Sequence, residues 1–342
     1  MRYRLLGRSG LRVSQLCLGA MTFGDNWGWG ADRDASRAVF DTFAEAGGNF
    51  IDTAYVYTDG ESERLVGEFV GADRDHFVIG TKYSSSTDHD TGKAGNSRKN
   101  MMRSVEASLR RLGSDHIDVL WLHSWDGTTP VEEIMRGLDD LVSAGKILYV
   151  GFSNTPAWQI ARAGMLADLR GWAPVVAIQV EYSLVERTAE RELLPMAREL
   201  DLGILAWSPL AGGVLSGKYD AQDQGASSRS WLPFTQRRIE LGRRVANLAA
   251  EVGCSPSAFA LAAILSNRSY GPIIPVLGAR SPTQIADNLR CLDVDLDHEA
   301  FRVIDAETAV EPGYPHDLLA SDVLEGFTLS GAASGLDNHR RK

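Results

Sequence analysis

The chain contains few cysteines and no long apolar segment. Its three cysteines, Cys17, Cys254 and Cys291, form no CxxC pair, so neither a disulfide framework nor a zinc site is indicated, and we expect no bound metal. No uninterrupted apolar stretch approaches the roughly 20 residues of a membrane span, and the N-terminus lacks the apolar region of a signal peptide. We therefore expect a cytoplasmic protein without a membrane partner.

Positive charge is also in short supply. The 35 Lys and Arg residues are outnumbered by 45 Asp and Glu residues, which gives a net charge of −10 over 342 residues. A nucleic acid or an anionic membrane surface requires a basic face, so neither partner is expected. A phosphate-bearing cofactor remains possible, because a few local cations are sufficient to bind one.

The sequence does contain a repeated unit of a short apolar run, a polar or glycine-containing loop and an amphipathic helix. Near-continuous apolar runs are typical of parallel strands that are buried on both faces. Eight such units favour a closed (β/α)8 TIM barrel, with a doubly wound sheet as the alternative, although no G-x-G-x-x-G follows the first strand. The predicted strands cover residues 15–19, 49–52, 77–82, 117–123, 147–154, 175–179, 203–207 and 273–278.

The remaining segments complete the predicted organisation. Residues 3–18 read as an N-terminal β-hairpin. We predict a single domain over residues 1–342, with the barrel over about 1–310 and an extra C-terminal helix and tail over 311–342, the end of which should be mobile. A polar segment, 220–230, is a candidate lid.

Ser/Thr-Pro pairs predict the first residues of four helices, because a hydroxyl caps the helix and proline fits its first position. The predicted caps are Thr129, Thr155, Ser255 and Ser281. Glu132 and Gln284 stand three residues after Thr129 and Ser281, as in a capping box.

The predicted strand ends carry groups suited to proton transfer. Asp52, Lys82 and His123 end three successive strands, and Tyr57 follows on a loop. Neighbouring strands lie about 4.8 Å apart, so these side chains should converge at the C-terminal mouth of the barrel. A nearby Lys82 would lower the pKa of the Tyr57 phenol, while Asp52 would orient Lys82, and His123 could donate a hydrogen bond to a substrate oxygen.

These residues, together with several motifs, give the chain a resemblance to the aldo-keto reductases over nearly its whole length. The matching segments are Leu16-Cys17-Leu18-Gly19, 50–57, 122–126, 145–147, 151–154 and Trp207-Ser208-Pro209-Leu210. The resemblance implies a (β/α)8 barrel that reduces aldehydes and ketones with NADPH. It also implies a catalytic tetrad of Asp52, Tyr57, Lys82 and His123, with Tyr57 as the general acid.

The later strand ends predict a cofactor site. Ser153, Asn154 and Gln179 are suited to an amide, and the resemblance assigns them to the nicotinamide carboxamide and Trp207 to the nicotinamide ring. The glycine-rich loop over residues 210–219 could approach phosphates, and Arg280 at a helix N-terminus could bind the 2′-phosphate of NADPH. The complete predicted set is Ser153, Asn154, Gln179, Trp207, Ser208, Leu210, Gly212, Lys218, Gly278, Arg280, Gln284 and Asn288.

The substrate is predicted only as a small-molecule carbonyl compound. Candidate pocket walls are Met21, Phe23, Trp27, Tyr83 and Trp125. An aromatic pocket suits sugar, aryl and alkyl carbonyls equally, and the oligomeric state is not predicted. Two alternatives remain: a cofactor-binding regulatory subunit like the potassium-channel β subunits, although no inactivation-like extension precedes the barrel, and an aldolase or isomerase that forms a Schiff base at Lys82.

Overall fold

Eight parallel strands form a closed barrel, and a two-stranded antiparallel hairpin precedes it. The computed structural model describes residues 1–219, 235–296, 298–330, 332 and 335–337. The hairpin pairs β1 (Tyr3–Leu5) with β2 (Arg12–Ser14). The barrel strands are β3 (Cys17–Gly19), β4 (Phe50–Asp52), β5 (Val78–Tyr83), β6 (Ile117–Leu122), β7 (Ile147–Ser153), β8 (Val175–Glu181), β9 (Gly203–Trp207) and β10 (Ile273–Gly278). β10 pairs with β3, which confirms the predicted (β/α)8 architecture.

Helices surround the barrel and extend into the C-terminal segment. They are α1 (Arg33–Glu45), α2 (Glu61–Val70), α3 (Arg98–Leu112), α4 (Val131–Ser143), α5 (Ala157–Arg170), α6 (Leu193–Glu199), α7 (Gln236–Val252), α8 (Pro256–Ser266), α9 (Pro282–Leu289), α10 (His298–Thr308), α11 (His316–Leu319) and α12 (Asp322–Thr328). Both α7 and α8 lie between the last two strands, as the sequence predicts. The candidate lid at 220–230 and the last five residues lie outside the described part of the chain.

The barrel strands are mostly apolar because their two faces are buried in different cores. Phe50, Val119 and Trp121 belong to a cluster inside the barrel. Ile51 and Leu120, their neighbours in sequence, belong to the larger cluster between the barrel and the helices. Successive side chains of a strand point to opposite faces, so one apolar run supplies both cores.

Two of the four predicted helix caps are present. The hydroxyls of Ser255 and Ser281 accept hydrogen bonds from the backbone N–H groups of Ala258 and Gln284, and proline follows each cap. The prediction is wrong for α4 and α5, which begin after Pro130 and Pro156 without a side-chain cap. The preceding hydroxyls bond elsewhere: Thr129 donates to Asp126 and Thr155 to the carbonyl of Ser153.

Among the described residues, no single helix is long and apolar enough to cross a membrane. Helices α7 and α8 together have the length and apolar composition of a membrane span, but the chain bends by 91° between them.

Candidate active site

The alternation along each strand determines which side chains reach the mouth of the barrel. Phe50, Val78, Trp121, Ala177 and Leu205 all lie in the interior cluster. Because side chains alternate, inward positions recur every second residue towards the C-terminal end of each strand. They bring a ring of polar and aromatic groups to the mouth: Asp52, Lys82, His123, Ser153, Gln179 and Trp207.

Lys82 lies at the base of this ring and is 1% exposed. Its ammonium group donates to Asp52, to the carbonyl of Thr53 at 2.7 Å and to the Tyr57 hydroxyl at 3.2 Å. Burial alone would lower the pKa of Lys82, but the charge of Asp52 and the hydrogen bonds to Asp52 and Tyr57 outweigh that effect, and the pKa is raised. Lys82 is therefore a fixed positive charge beneath the phenol.

Asp52 is held from two sides. It accepts hydrogen bonds from Lys82 and, at 3.0 Å, from the side-chain amide of Gln179. Burial raises the pKa of Asp52, whereas Lys82 and Gln179 oppose that shift. The carboxylate thus orients the ammonium group, as predicted from the sequence.

Tyr57 begins a short 3-10 turn, Tyr57–Gly60, that follows β4. Thr58 (φ 45°), Asp59 (φ 58°) and Gly60 (φ 89°) are all in the left-handed region, and a non-glycine residue held in such a conformation costs about 1–3 kcal/mol.

Burial raises the pKa of the Tyr57 phenol, and the opposing effect of Lys82 is smaller. The expected lowering of this pKa is therefore wrong: desolvation exceeds the effect of the cation, and the phenol is protonated at neutral pH.

His123 follows β6 and faces Tyr57, with ring centroids 5.9 Å apart and nearly perpendicular planes. Burial and the nearby charge of Lys82 lower the pKa of His123 to about 3. The imidazole is thus neutral at physiological pH. Its Nδ1 is buried and has no hydrogen-bond partner among the described residues.

These groups open into a cavity of about 1420 Å³ at the C-terminal mouth. Most of the predicted site residues line it, and Lys82 lies just beneath. The lining includes Met21, Trp27, Asp52, Tyr57, His123, Ser153, Asn154, Gln179, Trp207, Ser208, Leu210, Gly212, Lys218, Gly278, Arg280, Gln284 and Asn288.

Three predicted pocket walls do not line this cavity, which corrects their placement. Tyr83 follows the inward-facing Lys82, so it points outwards and is 1% exposed in the core beneath the helices. Phe23 is fully buried and packs edge-on against Phe69 of α2. Trp125 turns towards α5, where its ring lies edge-on to that of Trp158 with ring centroids 5.5 Å apart.

One end of the cavity presents amide-binding and aromatic groups. Ser153 is 1% exposed, and its hydroxyl has no partner among the described side chains and backbone groups. Asn154 donates to the His123 carbonyl at 2.8 Å and accepts from the indole N–H of Trp207 at 3.2 Å. These contacts fix the Trp207 ring at the wall of the cavity.

Another part of the cavity wall combines a glycine-rich turn with a helix N-terminus. Gly212 and Gly213 have positive φ values of 66° and 98°, and the hydroxyl of Ser208 accepts a hydrogen bond from the Gly212 N–H. At α9, the Gln284 side chain accepts from the backbone N–H of Arg280 at 2.8 Å. Gln284 therefore bonds the residue before the cap, rather than Ser281 as in a capping box. The Arg280 Nε is buried without a partner among the described residues.

Several cavity residues escaped the sequence analysis. Glu181, Asp287 and Arg290 line the cavity, as do Ser85, Ser86 and Thr87 on the loop after β5. Glu181 was missed because the predicted strand ended at Gln179, whereas β8 extends to Glu181, whose side chain lies on the same face as Gln179. The loop residues carry no comparable periodic signal.

Comparison with known proteins identifies the family. The model of the aldo/keto reductase family matches residues 15–308. Norsolorinic acid reductase of Aspergillus flavus is 36% identical over 337 residues, covering 95% of this chain and 86% of that protein. Aryl-alcohol dehydrogenase (NADP+) of Phanerodontia chrysosporium is 35% identical over 356 residues, covering 96% and 91% respectively. An uncharacterized oxidoreductase of Bacillus subtilis is 36% identical over 318 residues, covering 89% and 95%. These matches confirm the resemblance seen in the sequence, and the chain belongs to the aldo/keto reductase family of carbonyl-reducing oxidoreductases.

Proposed function

We propose that this protein reduces an aldehyde or ketone to an alcohol with NADPH, and that Tyr57 donates the proton. The observation that carries the proposal is the placement of Lys82. Its ammonium group is held by Asp52 and the Thr53 carbonyl and lies 3.2 Å from the Tyr57 hydroxyl, at the floor of the large cavity.

The phenol is suited to the role of acid because it remains protonated until charge develops on the substrate. Bound NADPH would supply the hydride that converts the carbonyl carbon to the alcohol level. As the carbonyl oxygen gains negative charge, Tyr57 transfers its proton to that oxygen, and Lys82 stabilises the resulting phenolate. A fixed cation in a water-poor site is effective here because it needs no reorganisation during the reaction.

His123 assists as a neutral hydrogen-bond donor. With a pKa of about 3, the imidazole carries one N–H at neutral pH. That N–H can hold the carbonyl oxygen beside Tyr57 without adding a charge that would compete with Lys82. His123 thus orients the substrate, and Tyr57 supplies the proton.

The residues that line the cavity fit NADPH. The Ser153 hydroxyl, which has no partner among the described residues, and the amide side chain of Asn154 suit the carboxamide, and Trp207 offers a face for the nicotinamide ring. The Gly212 turn and Lys218 suit the phosphates, because glycine permits close backbone approach. The Nε of Arg280, also without a partner in the described part of the chain, suits the 2′-phosphate, beside the N-terminus of α9.

We propose an aryl carbonyl compound as the substrate class. Trp27 and Trp29 line the cavity with ring centroids 5.7 Å apart, and Trp27 lies edge-on to Tyr57 at 6.5 Å. An aromatic wall beside the proton donor favours a planar aromatic substrate. The name of one relative, aryl-alcohol dehydrogenase, agrees with this choice.

The decisive experiment is the variant Tyr57→Phe, assayed with NADPH and a panel of aryl aldehydes. We expect kcat to fall by about 100- to 10,000-fold, the usual contribution of a positioned general acid. The Kd for NADPH should remain nearly unchanged, because Phe preserves the ring. Substantial residual turnover would remove Tyr57 from the acid role.

The Schiff-base alternative is disfavoured by the raised pKa of Lys82, since a nucleophilic lysine must lose its proton. Borohydride together with a carbonyl substrate would trap such an intermediate at Lys82, and we expect no trapped adduct. A regulatory subunit would bind NADPH but turn over slowly, so a kcat typical of reductases separates it from the proposed enzyme.

A further inference from the structure

The Tyr57 hydroxyl must remain beside Lys82 although the backbone that carries it is strained. Thr58, Asp59 and Gly60 adopt consecutive left-handed conformations directly after Tyr57. Such a run persists only when its surroundings hold it in place. Within the turn, Thr58 donates to the Phe23 carbonyl at 2.8 Å and its own carbonyl accepts from Asn26 at 3.1 Å. Contacts on either side of the turn add to these and hold the residues that flank it.

One side is held by Arg111 of α3. Its guanidinium donates to the Tyr55 carbonyl at 2.9 Å and to the Glu63 carboxylate of α2 at 3.0 Å. It also lies over the Tyr55 ring, 4.5 Å from the centroid. Tyr55 and Glu63 flank the strained turn, so Arg111 links the chain before it to the chain after it. A Cβ on Gly60 would lie 2.5 Å from the Arg111 Cζ, so a larger residue there would displace the guanidinium.

Glu63 connects the same contacts to the strand that carries Lys82. It is fully buried, and its second carboxylate oxygen accepts from the Thr81 hydroxyl at 2.6 Å. Thr81 precedes Lys82 on β5. A continuous path of hydrogen bonds thus runs from the strand of Lys82 through Glu63 and Arg111 to Tyr55, two residues before Tyr57.

We propose that Arg111 and Glu63 are positioning residues that set the distance between the Tyr57 hydroxyl and the Lys82 ammonium group. Neither residue lines the cavity in the described part of the chain. They act through the backbone of the turn, and neither belongs to the proposed catalytic tetrad. This inference rests on the proposed function, because it assigns them an effect on the same proton transfer.

The test compares Arg111→Met with the double variant Arg111→Met/Glu63→Gln. The single variant leaves the Glu63 carboxylate buried without its cation and could unfold, whereas the double variant removes both charges together. Arg110→Met is the matched control, because Arg110 is the exposed neighbour on the same helix. Hydrogen exchange of the peptide covering residues 55–62 reports how firmly the turn is held, without any substrate.

We expect the double variant to fold, to bind NADPH with unchanged Kd and to lose kcat by about 10- to 100-fold, as displacements near 1 Å can cause. Exchange in the 55–62 peptide should accelerate, while peptides from the barrel strands and the Arg110→Met protein remain as in the wild type. Unchanged exchange, or faster exchange with full kcat, would overturn the positioning role. If the wild type reduces no carbonyl, the proposed function fails, and the exchange result still decides whether the two residues hold the turn.

Discussion

Lys82 shows how one buried residue is kept charged by its neighbours. Complete burial normally favours the neutral amine, because the protein interior solvates an ammonium group poorly. Here Asp52 and Tyr57 reverse that preference and raise the pKa of Lys82. The carboxylate and the phenol both lie within hydrogen-bond distance of the ammonium group, so the geometry of the site supports its charged state.

The same reasoning predicts the pH dependence of turnover. His123, with a pKa lowered to about 3, is neutral throughout the physiological range, and Tyr57, with a raised pKa, remains protonated there. The kcat for reduction should therefore stay constant as pH passes through 6.5, the ordinary pKa of a histidine. It should decline only in alkaline solution, as pH rises through the pKa of Tyr57 and the proton donor is lost.

A profile of kcat against pH for the wild type and His123→Gln provides the measurement. The variant should lower kcat without changing the shape of the profile in the neutral range. A limb between about pH 6 and 7 that disappears in His123→Gln would contradict the neutral assignment.

At the scale of strands, the barrel interior is filled by matching a large residue with small ones. Trp121 of β6 is fully buried and pairs in register with Gly151 of β7. A Cβ on Gly151 would lie 2.2 Å from the Trp121 ring, and one on Gly80 of β5 would lie 2.7 Å from its indole nitrogen. The glycines on both neighbouring strands thus provide the space for the indole.

Gly151→Ala should therefore lower the free energy of unfolding by about 1–3 kcal/mol, the cost of forcing an extra methyl group into a packed core. Urea denaturation gives the value. Gly164→Ala is the control, because Gly164 lies in α5 with no atom within 4 Å of an added Cβ, and it should be neutral or stabilising by up to about 1 kcal/mol. Equal stability of the two variants would show that the barrel relaxes around Trp121.

The elements also show what the sequence can predict. Buried parallel strands require continuous apolar runs, so all eight strands and the inward residues at their ends were predictable. The caps at Thr129 and Thr155 were not, since each hydroxyl had a competing partner, Asp126 or the Ser153 carbonyl, that only the tertiary structure reveals. The direction of Phe23 on its loop, and the balance between burial and charge at Tyr57, likewise depend on packing that no local pattern encodes.

For the whole molecule, the acidic net charge coexists with local cations in the cavity. Lys218, Arg280 and Arg290 line it, although the chain carries a net charge of −10. The cavity walls come from the C-terminal ends of strands all around the barrel and from α9. A cofactor bound there would contact elements distant in sequence, and its binding energy would stabilise the folded chain as a unit.

Thermal unfolding should therefore measure the stabilisation by bound NADPH and the part of it that depends on the 2′-phosphate. NADPH at about 100 times its Kd should add about 2.7 kcal/mol to the free energy of unfolding and raise Tm. Arg280→Ala should cost about 1.5–3 kcal/mol of NADPH binding, as for hydrogen bonds to charged groups, so at that concentration it should lose half or more of the stabilisation. The stabilisation by NADH should change much less, because NADH lacks the 2′-phosphate.

Tyr57→Phe should retain the full NADPH effect, and Arg110→Ala serves as the charge-matched control on the exposed face of α3. Equal losses for NADPH and NADH in Arg280→Ala would contradict the assignment of Arg280 to the 2′-phosphate.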